Sequence, residues 1–264
     1  MAVKNLMINA VRAVARCAGL EISRALPLDI EPEAIALLRQ AKPYTMTSMV
    51  SLYSLYQAVG YVVRNAIPGA LVECGVWRGG SAMAMALTLL RLGIRDRDLY
   101  LFDTFEGMTE PGEQDVSKTG ESAYRHWQAR QRHDGVNEWC LASLEDVRRT
   151  MAASGYPIER IHLIRGRVEE TLPSQAPEQI ALLRLDTDWY ESTRHELMHL
   201  YPRLSGGGAL IIDDYGEWRG ARQAVDEYLQ AQNAPLLLHR IDHTGRIALK
   251  PLGVARTQET ACHA

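Results

Sequence analysis

The chain has 264 residues, 47% hydrophobic and 23% charged, with a formal net charge of −3. That length gives ample core for one large domain, or a domain with an extension. The slightly acidic balance argues against a dedicated nucleic-acid binder, which carries a basic excess, and no apolar run is long enough to span a bilayer. Four scattered cysteines, Cys17, Cys74, Cys140 and Cys262, form no close pair, the pattern of reduced thiols in a cytoplasmic protein.

In chain order, Val3, Leu6, Met7, Ala10, Val11, Val14, Cys17 and Ala18 share one helical face. Lys4, Arg12 and Arg16 interrupt that segment, so it does not read as a secretory signal. It is expected to pack on the body of the protein or on a second subunit. Pro32 opens a short helix to Gln40, which Pro43 closes. Tyr44–Ser48 then caps a longer helix running to about Arg64. Residues 1–66 therefore read as a helical extension, and 67–264 as an α/β domain.

Strand and helix alternate from Ala70 onward. Ala70–Cys74 is an apolar strand entering the turn Glu73-Cys74-Gly75-Val76-Trp77-Arg78-Gly79-Gly80-Ser81, which opens a helix to Leu92. Glycines allow close backbone approach to a ligand, and the helix start offers free N–H groups. A second strand, Leu99–Phe102, ends at Asp103, and the spacing from Gly75 suits an acid that binds the ribose of a nucleoside cofactor. Residues 104–140 are polar and punctuated by proline and glycine, and read as a mobile lid. A helix Leu144–Ala153 and a third strand Ile161–Arg165, ending at Gly166, follow.

The next stretch carries the chemistry. Two apolar runs, Ile180–Leu185 and Ala209–Ile212, stop abruptly at Asp186-Thr187-Asp188 and Asp213-Asp214. Between them lies a crossover helix, expected from about Ser192 to Ser205. Ligands of such sheets sit beyond the carboxyl ends of the strands. Asp186, Asp213 and Asp214 would then repel one another in one crevice unless a cation neutralised them, and their hard oxygens favour Mg²⁺. A helix from about Gly220 to Gln232 and a hairpin of Leu236–Arg240 with Ile247–Lys250 close a mostly parallel sheet with an antiparallel edge.

His195-Glu196-Leu197-Met198-His199 matches the HExxH zinc pattern. It falls in a crossover helix along a sheet face, without a third ligand at any known spacing, and reads as coincidence. Leu197, Leu200 and Leu204 look like the packing face, leaving His195 and Glu196 to solvent. A nicotinamide-dependent oxidoreductase would share the sheet and Asp103, but the turn is not GxGxxG and hydride transfer needs no acid cluster.

The segments YTMTS (44–48), VECGVWRGGSAMAMA (72–86), LYLFDTFEGM (99–108), LLRLDTDWYEST (182–193) and LYPRLSGGGALIIDDYG (200–216) together resemble the macrocin O-methyltransferase family. These are S-adenosylmethionine enzymes that tailor sugars on macrolide and aminocoumarin antibiotics. The resemblance runs from about Tyr44 to Lys250; nothing in the lid fixes the acceptor. It implies a Rossmann-like class I methyltransferase sheet with a helical N-terminal extension, dependent on Mg²⁺ and assembled as a homodimer or higher homo-oligomer. Glu73 and Gly75 would flank the methionine part of the cofactor, with Cys74 between them and Ser81 nearby. Asp103 would hold the ribose, with Thr104 and Phe105 beside the adenosine, and Gly166 joins this set. Asp186, Asp213 and Asp214 would hold the metal, and Asp186 would act as general base with Asp188 as its alternative. Tyr44, Met49 and Asp188 are substrate-contact candidates. The acceptor expected is a small glycosylated molecule offering a vicinal diol, a catechol being its rival; neither a nucleic acid nor a membrane is an expected partner.

Overall fold

Alternate residues of the apolar strands point to opposite sheet faces, and each side needs helices to cover it. The computed structural model describes residues 29–134, 136–232 and 236–252. The N-terminal amphipathic segment read from the sequence lies outside them. The strands are β1 (Ala70–Cys74), β2 (Leu99–Asp103), β3 (Ile161–Arg165), β4 (Ile180–Leu185), β5 (Leu204–Ile212), β6 (His239–Arg240) and β7 (Arg246–Leu249). They form a sheet of order β3-β2-β1-β4-β5-β7-β6. β1 to β5 run parallel, whereas β7 is antiparallel to β5 and to β6.

On one face, Leu71, Leu182, Ala209 and Ile211 pack with α1 (Pro32–Ala41), α2 (Met49–Arg64), α3 (Gly80–Arg91) and, beyond the lid's α4 (Ala123–Gln128), α5 (Leu144–Ala153). On the other, Val72, Leu183, Leu185, Leu210 and Ile212 pack with α6 (Val168–Thr171), α7 (Tyr190–Leu200) and α8 (Arg219–Ala231). Leu38 and Leu52 are fully buried in the core shared with α3. Among the described residues no helix is long and apolar enough to cross a membrane.

Three expectations change. The crossover helix stops at Leu200, because Pro202 cannot continue it. β5 accordingly starts at Leu204, taking in the glycine run, with Leu204 opposite Ile180 and a register shift before Leu182 meets Ala209. The edge hairpin is shorter than expected, with only His239–Arg240 paired on its outer strand.

The chain leaves β1 for β2 and β3 on one side, then returns to β4 and β5 on the other. The crevice between the carboxyl ends of β1 and β4 is therefore the topological switch point at which such sheets bind ligands.

Candidate active site

Parity along the strands builds the floor of the site. Glu73 of β1 lies directly opposite Arg184 of β4, and Arg184 opposite Ile211 of β5. Asp186 and Asp213, each two residues further along, fall on that same face. Arg184 is only 1% exposed and reaches all three acids: Glu73 Oε1 at 2.7 Å, Asp186 Oδ2 at 2.5 Å and Asp213 Oδ1 at 2.6 Å. It also donates to Thr47 Oγ1 at 3.0 Å. Burial alone would lower the guanidinium pKa, but the charges of Asp186, Asp213 and Glu73 outweigh it and hold Arg184 protonated. This residue was absent from the candidate set. Its signal was a charge inside the apolar run ALLRLD, where a buried strand tolerates an arginine only with counter-charges.

Above that floor, Asp186, Asp188 and Asp214 each offer a carboxylate oxygen, all within 4.8 Å of one another. The grouping shares Asp186 and Asp214 with the set expected to hold metal and has Asp188 as its third member, while Asp213 is engaged by Arg184. Asp188 sits in the left-handed region at φ 68°, a conformation Asp tolerates better than most residues. Burial pushes its carboxyl up to about 7, aided by the charges of Asp186 and Asp213 and opposed by hydrogen bonds with Asp214 and Trp218. Burial also raises Asp186 and Asp214 well above the usual carboxylate range; Arg184 opposes it at both.

The glycine-rich turn is set by its contacts with the protein. A Cβ on Gly75, at φ 82°, would lie 1.9 Å from the Asp186 carbonyl oxygen, and one on Gly80 would strike Tyr44 and Thr45. Glycine at both positions lets the turn and the 44–48 segment close over the strand tips. Asp103 is committed to the same turn: Oδ2 accepts from the N–H groups of Val76 and Trp77 at 2.7 and 2.9 Å, and Oδ1 from Phe105 at 2.8 Å. Burial nevertheless raises its pKa. Glu73 and Cys74 are fully buried, with Ser81 Oγ donating to Glu73 Oε1 at 2.5 Å.

Two cavities meet at Gly75, Asp103, Gly107, Met108 and Asp186. The larger, about 400 Å³, reaches Thr45–Ser48, Ser81, the acids, Trp139, Trp218 and the hairpin residues Asp242–Thr244. The smaller, about 60 Å³, is lined by Thr104, Gly166, Val168 and Thr187 among others. Of the expected contact residues, Tyr44 and Met49 pack against the apolar core, as does Phe105, while their neighbours Thr45–Ser48 face the large cavity. The hairpin is tied down by Asp242, which accepts from the hydroxyls of Ser48 and Ser51, both at 2.7 Å. Burial pulls its carboxyl up, but the donors Ser51, Gly245, Ser48 and Thr244 prevail and hold it well below its ordinary value.

The lid is anchored to this wall. Trp189, Trp218 and Trp139 meet edge to face, with ring centroids 5.1–6.0 Å apart. The indoles of Trp127 and Trp189 donate to the carbonyls of Met108 and Thr109, each at 3.0 Å. In the HExxH stretch, His195 and His199 are half-buried, but Glu196 is fully buried, contrary to its expected exposure. The helix starts at Tyr190 rather than Ser192, and Glu196 turns with Leu197 and Leu200 toward the sheet.

Comparison with known proteins supplies the class of chemistry. The macrocin O-methyltransferase (TylF) family model matches residues 22–249. The chain is 36% identical over 188 residues to demethyldecarbamoylnovobiocin O-methyltransferase of Streptomyces niveus, covering 71% of this chain and 68% of that one. It is 32% identical over 202 residues to mycinamicin III 3''-O-methyltransferase of Micromonospora griseorubida, covering 76% of each. The solved structure of the O-methyltransferase NovP superposes with a TM-score of 0.69 at 33% identity, covering 79% of this chain and 82% of that one. The sheet order, the switch-point crevice and these likenesses agree, and the chain belongs to the macrocin O-methyltransferase family of S-adenosylmethionine-dependent O-methyltransferases.

Proposed function

We propose that the enzyme methylates a sugar hydroxyl, one of a vicinal pair, on a glycosylated natural product, with a divalent cation held by the acid cluster. The observation that carries this is the convergence of Asp186, Asp188 and Asp214 at the wall of the large cavity. The donor set fits a hard cation: Arg184 pairs with Glu73, Asp186 and Asp213, while Asp188 and Asp214 add two further carboxyls beside Asp186. Asp214 Oδ2 is buried without a hydrogen-bond partner among the described residues. The relatives' names, one on an aminocoumarin and one on a macrolide, support the acceptor class.

Asp186 and Asp214 would hold the ion, which supplies positive charge that acidifies an adjacent hydroxyl. Arg184 holds Asp186 Oδ2, which makes that carboxylate the poorer proton acceptor. Asp188, which Arg184 does not pair with, lines the large cavity and is the freer proton acceptor. Bound S-adenosylmethionine would supply the sulfonium methyl and depart as S-adenosylhomocysteine, and Asp188 would take the proton of the acceptor hydroxyl. The narrow cleft between Thr104 and Gly166 suits the adenosine, and the larger cavity, with Trp139 and Trp218 in its wall, suits the sugar. Holding donor and acceptor in line lowers the barrier by up to about 7–11 kcal/mol in well-oriented cases.

The test is S-adenosylhomocysteine release with demethyldecarbamoylnovobiocin, mycinamicin III and a catechol as acceptors, with Mg²⁺ or excess chelator. Turnover of a glycosylated acceptor that chelator abolishes is expected, as is a drop in kcat of about 10²–10⁴ for Asp188→Asn. Undiminished turnover in chelator would defeat the cation reading. Turnover of the catechol alone would defeat the sugar reading.

A further inference from the structure

Helix α7 carries a carboxyl that the transfer chemistry does not use. Glu196 is 0% exposed and lies beside Cys74 at the tip of β1, on the sheet face opposite Arg184. Its Oε1 accepts from Thr187 Oγ1 at 2.9 Å, and its Oε2 has no hydrogen-bond partner among the described residues. An incompletely partnered carboxyl is costly to bury. An apolar side chain there would join Leu197 and Leu200 in the core without that cost. Burial pushes Glu196 up to about 8, aided by the charge of Glu169 and opposed by hydrogen bonds with Thr187 and Cys74.

Thr187 stands between Asp186 and Asp188. The turn is also held by the Asp186 N–H donating to the Cys74 carbonyl at 2.9 Å, and by the Trp189 N–H donating to the Thr187 carbonyl at 2.8 Å. Its last acid takes φ 68°, a conformation that costs a non-glycine residue about 1–2 kcal/mol and persists where the surroundings over-determine it. The Thr187 hydroxyl turns toward α7, while Asp186 and Asp188 line the large cavity.

We propose that Glu196 is a positioning residue: by gripping Thr187 from the far face of the sheet, it holds the Asp186-Thr187-Asp188 turn in the conformation that brings both acids to Asp214. It lines neither cavity and reaches the acid turn through Thr187. The inference rests on the reading of Asp186, Asp188 and Asp214 as a cation site, and it assigns the glutamate of the HExxH stretch a role unrelated to zinc.

The full-length chain would be compared with Glu196→Gln, Glu196→Met, Thr187→Val and the Met/Val double variant. Mn²⁺ binding would be titrated by electron paramagnetic resonance and S-adenosylhomocysteine binding by calorimetry. Glu196→Met and Thr187→Val are expected to weaken Mn²⁺ binding about tenfold or more, the usual effect of losing a group that orients a metal ligand. Glu196→Gln keeps an acceptor for Thr187 and should restore affinity to within about threefold, still within the reach of a second-shell change. The double variant should be no worse than the weaker single one, since both remove one interaction. S-adenosylhomocysteine affinity should be unchanged in Glu196→Met and Glu196→Gln, since Glu196 lines neither cavity. Where Glu196→Met fails to fold, Thr187→Val carries the test.

Wild-type Mn²⁺ affinity in Thr187→Val, or additive losses in the double variant, would overturn the proposal. Absence of Mn²⁺ binding by the wild type would instead overturn the cation reading. In that event a crystal structure of Thr187→Val decides the positioning role: Asp188 leaving the left-handed region sustains it, and an unmoved turn refutes it.

Discussion

Arg184 shows how one side chain sets the character of this site. A guanidinium buried to 1% exposure is stable only because Glu73, Asp186 and Asp213 surround it. It offsets the like-charge crowding of those acids and pairs directly with neither Asp188 nor Asp214. Arg184→Met keeps the volume and removes the charge, stranding three carboxyls. Removing one partner of a buried pair costs about 3–5 kcal/mol, and urea unfolding should show a loss of that size. Loss of less than about 1 kcal/mol, the range of a surface pair, would mean that water reaches the cluster. The acids at the strand tips were legible as strand ends, and Arg184 was present in the run that named them. Its pairing with Glu73 was not legible, because the partners come from strands 111 residues apart in the chain.

At the level of elements, α7 begins without a capping side chain of its own, with Trp189 at its N-cap position. The cap comes from the lid: Asp115 Oδ1 accepts from the Tyr190 N–H at 2.8 Å, and its Oδ2 from the Gly112 N–H at 2.7 Å. Gly220 leaves room for it, since a Cβ there would lie 1.9 Å from Asp115 Oδ1. A segment read as a mobile lid thus terminates the helix that follows the acid turn. Asp115→Ala should cost about 1–2 kcal/mol in urea unfolding, the cost of a lost cap. It should also speed protease cleavage within residues 104–140. Unchanged stability and cleavage would show that Trp127 and Trp189 suffice to fix the lid. Sequence periodicity gave α5 its bounds, Leu144–Ala153, but missed the true end of α7, where Pro202 prevailed over an apolar pattern extending through Leu204.

For the whole molecule, the strand order decides where charge accumulates. β4 and β5 are adjacent, so Asp186 and Asp188 after one strand meet Asp214 after the other, and their like charges oppose one another. A ligand at one hundred times its Kd that binds only the folded state stabilises by about 2.7 kcal/mol. Chelator-treated protein should therefore gain several degrees in Tm on adding saturating Mg²⁺. Scanning calorimetry with and without the ion measures this, and an unmoved Tm would sink the cation site at the level of the fold.

The sequence alone determined the alternation of strands and helices, the acidic strand ends and the family, because apolar periodicity, glycine turns and local motifs are short-range properties of the chain. Only the tertiary structure decided which acids group together, that Arg184 rather than solvent compensates Glu73, Asp186 and Asp213, and that Glu196 faces inward to Thr187. Those outcomes follow from register across non-adjacent segments and from desolvation in the assembled core, and neither is encoded in any single stretch.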